Sequence, residues 1–382
     1  MRLLYLEPYY GGSHRAIADA FIDHTGFEVD LLTMPARHWK WRLRGAAYHF
    51  VPKIEKLERA GSGGWDVVVC SSLLDVSLLR GMWASAPGTP IVQYVHEHQF
   101  SYPGRSGLAP DANYPLTDLS SALASDAVFF NSEYCRSSFL EGAATLLSRM
   151  PDYRCSHMVQ RVADKSAVLY PGAAHDTPHM EHGAPPRSSR PCILWNHRWE
   201  HDKNPENFFE ALKILDLDGL DFSLVVTGGR YRGSPEQLFE DARIRFADRI
   251  VHWGFVRERE EYSRIVSSCD IVVSTARQEN FGLSVLEAVR CGLLPVLPER
   301  LSYPELYGDG DAVLFDPGDN EPVSLAESLR RVLADGPALS QERRSRRMQW
   351  AERFDWSRRI ADWDTALQRR CENGRSRAVR SR

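Results

Sequence analysis

The fold of this chain is decided by the stretch Ser274-Thr-Ala-Arg-Gln-Glu-Asn-Phe-Gly-Leu-Ser-Val-Leu-Glu-Ala-Val-Arg-Cys-Gly292. It begins at the end of Cys269-Asp-Ile-Val-Val-Ser274, an apolar, β-branched run that is typical of a strand covered on both faces. From Leu283 to Val289 the apolar residues follow helical spacing. A strand therefore leads through a loop into a helix, whose free N–H groups and positive dipole end favour an anion at Asn280–Gly282.

Two carboxylates bracket this loop, Glu279 within it and Glu287 inside the helix. Both can accept hydrogen bonds from sugar hydroxyls. Alternatively, Glu279 is a first-turn acid that the helix dipole favours, and Glu287 is a solvated helix residue. The spacing alone leaves both interpretations open.

Length and composition indicate a folded protein of two domains. The chain has 382 residues, which is too long for one ordinary core. It is 43% hydrophobic and 26% charged, as soluble proteins commonly are. The net charge of −4 excludes a globally basic nucleic-acid binder, so any polyanionic partner must be bound by a local patch.

The cysteines and the N-terminus predict a cytoplasmic protein. The 7 cysteines are scattered and contain no Cys-x-x-Cys spacing, so we expect a reducing compartment and no catalytic thiol. The charge of Glu7 interrupts the N-terminal apolar run too early for a signal peptide, and no run approaches membrane-spanning length. No membrane partner is therefore expected.

Short apolar runs alternate with helical segments, which predicts parallel sheets with right-handed crossovers. In the first half, the predicted strands are Arg2–Glu7, Glu28–Thr33, Asp66–Ser71, Ile91–Val95, Ala127–Ser132 and Ala167–Gly172. In the second half, they are Cys192–Trp195, Phe222–Thr227, Ile250–Phe255, Cys269–Ser274 and Leu294–Leu297. Residues 173–191 are rich in Pro, Gly and Ser and are predicted to be a linker. The arginine-rich end from Arg369 is predicted to be disordered.

A glycine loop follows the first strand, with the residues Gly11, Gly12, Ser13 and His14. A strand, a glycine turn and a helix begin many nucleotide-binding α/β units, although the full Gly-x-Gly-x-x-Gly pattern is missing here. The loop is therefore a candidate ligand site. The alternative is that the two glycines only form a tight turn.

The segment after the second strand combines cations with aromatic rings and has no acidic residue from Met34 to Lys53. Its cations and rings alternate in the order Arg37, Trp39, Lys40, Trp41, Arg42, Arg44 and Tyr48. Cations pair with phosphates and rings stack on bases, so this segment predicts a polyanionic acceptor. The alternative is a helix with its tryptophans in the core and its cations in water.

Imidazoles follow the fourth strand at a carboxyl edge, where open α/β sheets place ligands. His96 and His98 flank Glu97, but no third metal ligand is apparent, so no metal site is expected. His96 is predicted to contact a sugar or the acceptor, because a neutral imidazole can donate or accept a hydrogen bond. Asn131 lies at the end of the next predicted strand and either lines the same edge or, with Ser132, caps the following helix.

Two cations, Arg198 and Lys203, lie in the loop after the strand that opens the second half. A helix follows, with Asn204 as its predicted cap and Pro205 as its first residue. Two cations before a helix N-terminus can clamp a diphosphate. We therefore predict an anion site here.

The two glutamates, with seven residues and Phe281-Gly282 between them, resemble the motif of the retaining, two-domain (GT-B) glycosyltransferases related to sucrose and glycogen synthases. The resemblance implies an α/β fold of two Rossmann-like domains whose parallel sheets face each other across a cleft. It implies an acceptor domain at 1–172, a nucleotide-sugar domain at 192–345, a C-terminal helix at 346–372 that returns to the first domain, and a basic tail at 373–382.

The same resemblance implies roles for the motif residues. Glu279 and the loop residues Asn280, Phe281, Gly282 and Leu283 would hold the donor sugar. Glu287 would hold the ribose, and Arg198 and Lys203 the pyrophosphate, with the glycine loop facing the diphosphate. The residues expected near the base are Thr227, Gly228, Trp253, Gly254 and Phe255, although Trp253 and Phe255 are alternatively core residues. No metal cofactor is implied.

Several segments together are similar to a narrower family, the tRNA-queuosine α-mannosyltransferases. These segments are Glu7–His14, Pro35–Arg42, His96–Gln99, His197–Glu206, His252–Phe255 and Ser274–Arg277. The resemblance implies transfer of mannose from GDP-mannose to the cyclopentenediol of queuosine in the anticodon of tRNA-Asp. It implies His96, Arg198, Lys203 and Glu279 as catalytic residues. It implies an acceptor surface of Arg37, Trp39, Lys40, Trp41, Arg42, Arg44, His98 and Asn131.

Two other functions remain open from the residues alone. One is a GT-B transferase that glycosylates a lipid or a small molecule. The other is an RNA-binding protein with an inactive sugar-nucleotide site, against which the presence of Arg198, Lys203, Glu279 and Glu287 argues.

Overall fold

The structure, a computed structural model, describes residues 1–83, 88–100, 111–173, 190–229 and 233–380. The chain divides into two compact units. The first contains Met1–Ala174 together with Trp356–Arg382, and the second contains His175–Asp355. Most of the predicted linker at 173–191, including its histidines, lies outside the described residues.

The first unit is built on a six-stranded parallel sheet with the order β2-β1-β3-β4-β5-β6. Its strands are β1 (Arg2–Tyr10), β2 (Glu28–Pro35), β3 (Val67–Ser71), β4 (Ile91–Val95), β5 (Ala127–Phe130) and β6 (Ser166–Val168). Its helices are α1 (Gly12–His24), α2 (Trp39–Arg59), α3 (Val76–Met82), α4 (Asn113–Ala124), α5 (Glu133–Ser148) and α6 (His157–Ala163). The carboxyl ends of β1, β3 and β4 are neighbours, so they present their following residues along one edge.

Strand β1 shows why this sheet is covered on both faces. Leu4 and Leu6 pack in a cluster with Phe50 of α2. Tyr5 points to the opposite face, where its ring lies 5.9 Å from that of Phe21 of α1. All of these side chains are buried, as expected for a central parallel strand.

The second unit has a second six-stranded parallel sheet, with the order β12-β11-β10-β7-β8-β9. Its strands are β7 (Cys192–Asn196), β8 (Ser223–Thr227), β9 (Ile250–Gly254), β10 (Ile271–Val273), β11 (Leu294–Pro298) and β12 (Val313–Phe315). Its helices are α7 (Pro205–Leu217), α8 (Glu236–Arg245), α9 (Arg259–Ser267), α10 (Leu283–Arg290), α11 (Tyr303–Tyr307), α12 (Glu321–Ala334) and α13 (Gln341–Ala351). The central strands β7 and β10 are the two that lead into the predicted donor residues.

The last helix, α14 (Trp356–Arg380), packs on the first unit. Trp363 is buried, with its ring 5.4 Å from that of Phe21 and its indole N–H donating to the Tyr170 carbonyl at 3.0 Å. Asp364 accepts hydrogen bonds from Thr25 Oγ1 at 2.6 Å and from the Gly26 N–H at 2.9 Å. Apolar and polar contacts therefore both hold α14 in place.

The predicted C-terminal helix over 346–372 is interrupted. Helix α13 ends at Ala351, and a 3-10 turn, Glu352–Phe354, precedes α14. Asp355 between them is extended, and its carboxylate pairs with Arg290 of the second unit. The arginine-rich end also differs from the prediction, because helical backbone continues through Arg380.

Candidate active site

The loop between β10 and α10 is closed by one of its own carboxylates. Gly282 occupies the position before the helix with φ of 82°, in the left-handed region that favours glycine. Glu279 Oε1 accepts a hydrogen bond from the Gly282 N–H at 3.1 Å. This contact corrects the expectation that the Gly282 N–H is open to a ligand.

Lys203 joins this loop to the loop after β7. Its buried ammonium lies 2.6 Å from the Gln278 carbonyl, 3.3 Å from Glu279 Oε2 and 3.2 Å from Asp202 Oδ2. Of the three N–H donors of the ammonium, the Gln278 carbonyl and Glu279 accept hydrogen bonds, whereas Asp202 Oδ2 contributes an ion pair without a hydrogen bond. We call Lys203, Glu279 and Asp202 the charge cluster.

Within the charge cluster, Lys203 and Glu279 keep each other charged. Burial alone would lower the pKa of Lys203, but the charges of Glu279 and Asp202 outweigh it and raise this pKa above its usual value. Burial acts to raise the pKa of Glu279, but the charge and the hydrogen bond of Lys203, together with contributions from His197 and Arg198, outweigh it and hold this pKa below its usual value. Each partner thus keeps the other charged in a site that water reaches poorly.

Thr275, just after β10, holds the loop that carries Lys203 through two hydrogen bonds. Thr275 Oγ1 lies 2.9 Å from both the Lys203 carbonyl and the Asn204 carbonyl. Pro205 is the first residue of α7, as predicted, but Asn204 does not cap it with its side chain. Asn204 has φ of 52°, and its amide nitrogen lies 3.4 Å from Glu321 Oε1.

Arg198 is the accessible cation of this region. Its side chain is 47% exposed and lies 3.1 Å from Glu200 Oε2. Its charge also affects the pKa values of Lys203 and Glu279, which places it near the charge cluster. The structure thus brings together the three second-unit residues predicted to be catalytic, Arg198, Lys203 and Glu279.

His197 is a site residue that the motif reasoning passed over. It directly follows β7, it is buried, and the charges of Lys203, Glu279 and Asp202 all act on it. Burial lowers its pKa to about 4, so its imidazole is neutral at neutral pH. The signal in the sequence was its position at a strand end, immediately before Arg198.

Glu287 on α10 forms an ion pair with Arg259. Arg259, the first residue of α9, donates to Glu287 Oε1 at 2.8 Å. The Glu287 side chain is 16% exposed. It is therefore an ion-paired carboxylate at the surface rather than a freely solvated helix residue.

The residues predicted near the nucleotide base separate into two groups. Trp253 is half-buried and packs on the second-unit core, with its ring 5.9 Å from Trp199, so the core alternative describes it. Phe255 is 68% exposed and follows Gly254, which has φ of 116°. The structure therefore leaves Phe255, and not Trp253, as the ring available for stacking.

Gly228 and Thr227 end β8 beside His197. Gly228 has φ of 113°, and a Cβ there would lie 2.0 Å from the His197 carbonyl oxygen, so only glycine fits. Thr227 is buried, and its carbonyl accepts from Trp199 Nε1 at 3.4 Å. These two residues shape the loop after β7.

In the first unit, the carboxyl edge of the sheet holds a buried acid and two imidazoles. Glu7 Oε1 accepts from the Tyr9 N–H at 2.8 Å and lies 3.1 Å from His14 Nδ1. The His14 and His96 rings are in contact, with centroids 4.1 Å apart and an angle of 33° between the ring planes. Burial, and then the His14 charge, lower the pKa of His96 well below its usual value, so His96 is neutral.

Glu7, His14 and His96 also have the chemistry of a metal site. Each offers one ligand atom, and these atoms lie within 4.8 Å of one another. A metal on His14 Nδ1 would displace its contacts with Glu7 and with Ser71 Oγ, which is 3.3 Å away. The distances are compatible with a metal ion, and the absence of a metal cofactor stays a prediction.

Three predicted acceptor residues have structural contacts instead. His98 is buried, with Nε2 3.0 Å from Ser138 Oγ and Nδ1 3.3 Å from the Phe100 N–H. Asn131 is buried and donates to the His96 carbonyl at 2.9 Å, so it supports His96. Arg42 is buried and donates to the Pro35 carbonyl from Nε and Nη2, at 3.3 and 3.2 Å. The polar atoms of these three buried side chains are bonded within the protein, so we do not place them on a surface that contacts phosphates or bases.

The glycine loop is tightly built. A Cβ on Gly11 would lie 2.5 Å from Ala36 Cβ, so this position needs glycine for packing. Gly12 has φ of 54°, and Ser13 is exposed in the first turn of α1. The loop thus directs His14 to Glu7 and leaves Ser13 in contact with water.

The remaining acceptor residues form an exposed patch at the start of α2. Lys40 lies over two rings, 5.6 Å from the Trp39 centroid and 5.3 Å from that of Tyr114 on α4. Trp41 is 57% exposed, and Arg44 donates to Thr117 Oγ1 at 2.8 Å. We call Arg37, Trp39, Lys40, Trp41 and Arg44 the basic-aromatic patch.

Comparison with known proteins finds family matches along most of the chain. The family described as "tRNA-queuosine alpha-mannosyltransferase N-terminal" matches residues 2–173, and "Glycosyl transferases group 1" matches residues 181–352. The tRNA-queuosine alpha-mannosyltransferase of Drosophila melanogaster is 32% identical over 364 residues, covering 93% of this chain and 92% of that protein.

This chain belongs to the tRNA-queuosine α-mannosyltransferase family.

Further similarities of this family member fit a glycosyltransferase of the GT-B fold. The catalytic domain of starch synthase IV from Arabidopsis thaliana, bound to ADP and acarbose, has a TM-score of 0.70 at 12% identity. The match covers 97% of this chain and 99% of that one. The GDP-mannose:cellobiosyl-diphosphopolyprenol alpha-mannosyltransferase of Xanthomonas campestris is 22% identical over 180 residues, covering 46% of this chain and 47% of that protein. Among the residues that the structure describes, no helix of this mannosyltransferase family member is long and apolar enough to cross a membrane.

Proposed function

We propose that this enzyme transfers mannose from GDP-mannose to the cyclopentenediol of queuosine in tRNA-Asp, with retention of configuration. The observation that carries the proposal is the charge cluster, with Arg198 beside it and the Glu279–Glu287 motif around it. The 32% identity to a tRNA-queuosine mannosyltransferase supports the acceptor.

Arg198 is the residue that meets the diphosphate first in this proposal. It is half exposed, and its surface pair with Glu200 is of the kind that contributes little, so it can turn toward a phosphate. Lys203 donates to the Gln278 carbonyl and to Glu279, and its contact with Asp202 is an ion pair without a hydrogen bond, so its third N–H can turn to the diphosphate. Asp202 is the partner that it would release, because Glu279 and the Gln278 carbonyl hold the motif loop in place.

The cations lower the barrier because charge grows on the leaving group. As the bond between sugar and phosphate breaks, negative charge accumulates on the diphosphate, so fixed cations stabilise the transition state more than the bound donor. Loss of one such contact costs about 2.7–4 kcal/mol, which is on the order of a hundredfold or more in rate. We infer that these cations take the place of a metal ion, so that no metal cofactor is needed.

Retention follows if the acceptor hydroxyl attacks from the side that the diphosphate leaves. The hydroxyl oxygen forms the new bond to the sugar carbon as the bond to phosphate breaks, and its proton passes to the departing phosphate oxygen. No enzyme nucleophile is assigned. Neutral His96 is proposed to hydrogen-bond the donor sugar or the acceptor, with the His14 ring in contact with it.

The basic-aromatic patch is proposed to bind the tRNA. Lys40 and Arg44 supply charge for the phosphates, and the exposed Trp41 supplies a ring on which a base can stack. Arg42, His98 and Asn131 are left out of this surface because their side chains are buried.

The test is label transfer from GDP-mannose to tRNA that contains or lacks queuosine. We expect label only in the tRNA that contains queuosine, at a rate that a chelator does not change. Equal labelling of both tRNAs would contradict the queuosine assignment, and labelling of a lipid or small metabolite instead would contradict the RNA assignment. Loss of transfer in the chelator would overturn the metal-free mechanism.

A further inference from the structure

Gln278 is a buried polar side chain next to the charge cluster. It is 5% exposed, and its backbone carbonyl accepts from Lys203 Nζ at 2.6 Å, which places the Gln278 backbone next to the charge cluster. Among the described residues, neither its side-chain oxygen nor its side-chain nitrogen has a hydrogen-bond partner. A buried amide in this state destabilises the fold unless a ligand or water satisfies it.

His197 also has a buried polar atom without a partner among the described residues, and the charge of Lys203 acts on its imidazole. It is 4% exposed, and its imidazole is bonded to the backbone of Val273. Its Nε2 atom is buried and has no partner within the described part of the chain. Since Nδ1 is then the donor to the Val273 carbonyl, Nε2 of the neutral ring is an acceptor.

These atoms discriminate between the parts of a sugar nucleotide. Diphosphate oxygens only accept hydrogen bonds, so they cannot pair with an imidazole acceptor. A hydroxyl both donates and accepts, so it can donate to His197 Nε2, and it can donate to the amide oxygen or accept from the amide nitrogen of Gln278. The polar atoms therefore match the hydroxyl-rich portion of the donor.

We propose that Gln278 and His197 form a subsite for the hydroxyl groups of the donor sugar, next to the cations that hold the diphosphate. This inference rests on the proposed donor site. It makes the two residues determinants of sugar recognition, and not of nucleotide affinity. In this assignment, the donor hydroxyls complete the hydrogen bonds of both buried side chains.

The test compares binding of GDP with binding of GDP-mannose to Gln278→Met, which keeps the length of the side chain and removes its amide. GDP affinity should stay within about twofold of wild type, whereas GDP-mannose should bind about tenfold more weakly or worse. The melting temperature of the ligand-free variant should equal or exceed that of wild type, because an unsatisfied buried amide has been removed. Gln237→Met, on the exposed face of α8, is the matched control and should change none of these values.

His197→Phe gives a second measurement, since it keeps a ring and removes both nitrogens. The same selective loss for GDP-mannose is expected. Equal weakening of GDP and GDP-mannose, or unchanged affinity for both, would overturn the subsite. A lower melting temperature of ligand-free Gln278→Met would also overturn it, because the amide would then stabilise the fold by itself.

Failure of the proposed donor gives a different result. In that case wild type binds GDP-mannose no better than GDP. The binding measurements are then repeated with a panel of UDP- and ADP-sugars and their matching nucleoside diphosphates. The subsite survives if Gln278→Met selectively weakens the sugar form of the nucleotide that does bind. If wild type binds no sugar nucleotide better than its diphosphate, both proposals are wrong.

Discussion

Lys203 shows how a buried charge depends on its partners. Its ammonium is within 3.3 Å of Glu279 and Asp202, and it also holds the Gln278 carbonyl. Removal of one partner from a buried ion pair leaves an uncompensated charge, which costs about 3–5 kcal/mol. Stability and catalysis are therefore coupled at this residue.

We predict that Lys203→Met lowers the free energy of unfolding by roughly 3–5 kcal/mol. The double variant Lys203→Met/Glu279→Gln should recover part of this loss, because it removes one of the stranded carboxylates. Urea denaturation measures both. Lys213→Met, which breaks an exposed pair with Glu210 on α7, is the control and should change stability by less than about 1 kcal/mol. A loss at Lys203 as small as the control would mean that the charge cluster does not stabilise the fold.

Asp118, on α4, predicts a pH dependence of stability. Burial raises the pKa of its carboxyl to about 8, even though the Gln99 N–H, 2.8 Å from Oδ2, acts to lower it. The folded protein thus keeps a proton that the unfolded chain releases near its usual pKa of about 4. Because the folded pKa is the higher one, stability from this group is complete below about pH 4 and is lost as the pH rises to about 8.

We predict that Asp118→Asn stabilises the protein at pH 8 by a few kcal/mol, on the order of 1–3. An amide oxygen can still accept from the Gln99 N–H, and it has no proton to lose. The gain should shrink as the pH falls toward 4. Denaturation curves between pH 5 and pH 8.5 measure it, with Asp23→Asn on the exposed surface of α1 as control. Parallel stability profiles of Asp118→Asn and wild type would contradict the prediction.

At the scale of residues, the sequence was informative where chemistry is local. Arg198, Lys203 and Glu279 could be predicted because each lies at a strand end or a helix start. Their mutual contacts could not, since Lys203 and the Gln278 carbonyl are brought together by two separate strands of one sheet. The burial of Arg42 was missed for a related reason, because the Pro35 carbonyl that holds its guanidinium belongs to the preceding strand.

At the scale of elements, helix α2 presents a face that water and a ligand can both reach. Trp41 and Tyr48 are 57% and 55% exposed, with Arg44 between them. Residues three, four and seven apart share one side of a helix, so these three side chains form one stripe. Exposed aromatics of this size usually mark an interaction surface.

We predict that Trp41→Ala weakens tRNA binding by about 1–3 kcal/mol through lost stacking. Lys40→Ala should weaken it mainly at low salt, because it removes a phosphate contact. Filter binding across a range of salt concentrations separates the two effects, and GDP-mannose affinity should not change. Arg149→Ala, at the exposed end of α5, is the control for charge. Wild-type tRNA affinity in Trp41→Ala would contradict the proposal that the basic-aromatic patch binds tRNA.

Helix α14 is predicted to be essential for the first unit. Trp363 is 1% exposed and fills the space between Phe21 and Tyr94, so Trp363→Ala should cost about 3–5 kcal/mol. Asp362→Ala, one residue earlier on the exposed side of the helix, is the matched control and should have little effect. Thermal denaturation measures both. Similar melting temperatures for the two variants would show that α14 does not stabilise this unit.

Most strands and several of the helices could be predicted because they are either continuously apolar or clearly amphipathic, whereas α2 was considered only as an alternative and α4 was not predicted. Elements with weak patterns were missed. Helix α8 is rich in charge, α6 has 7 residues, and β12 has only 3. The break between α13 and α14 was also missed, because it depends on the pairing of Asp355 with Arg290, which are far apart in sequence.

At the scale of the whole molecule, the chain consists of two units with six-stranded parallel sheets, and the last helix belongs to the first unit. The TM-score of 0.70 to a starch synthase catalytic domain at 12% identity shows that the fold is kept while most residues differ. Fold alone therefore does not name the acceptor. The acceptor assignment comes from the relative that matches along 93% of the chain.

The central claim is that the second unit holds GDP-mannose through Arg198 and the charge cluster while mannose moves to queuosine. The most direct test is the single-turnover rate of transfer to queuosine-containing tRNA for Arg198→Ala and Glu279→Gln, with Arg243→Ala on α8 as the control for charge. We predict that the two site variants lose on the order of a hundredfold or more in rate, with unchanged tRNA affinity, and that the control transfers mannose at the wild-type rate. Wild-type rates in folded Arg198→Ala and Glu279→Gln would contradict the account.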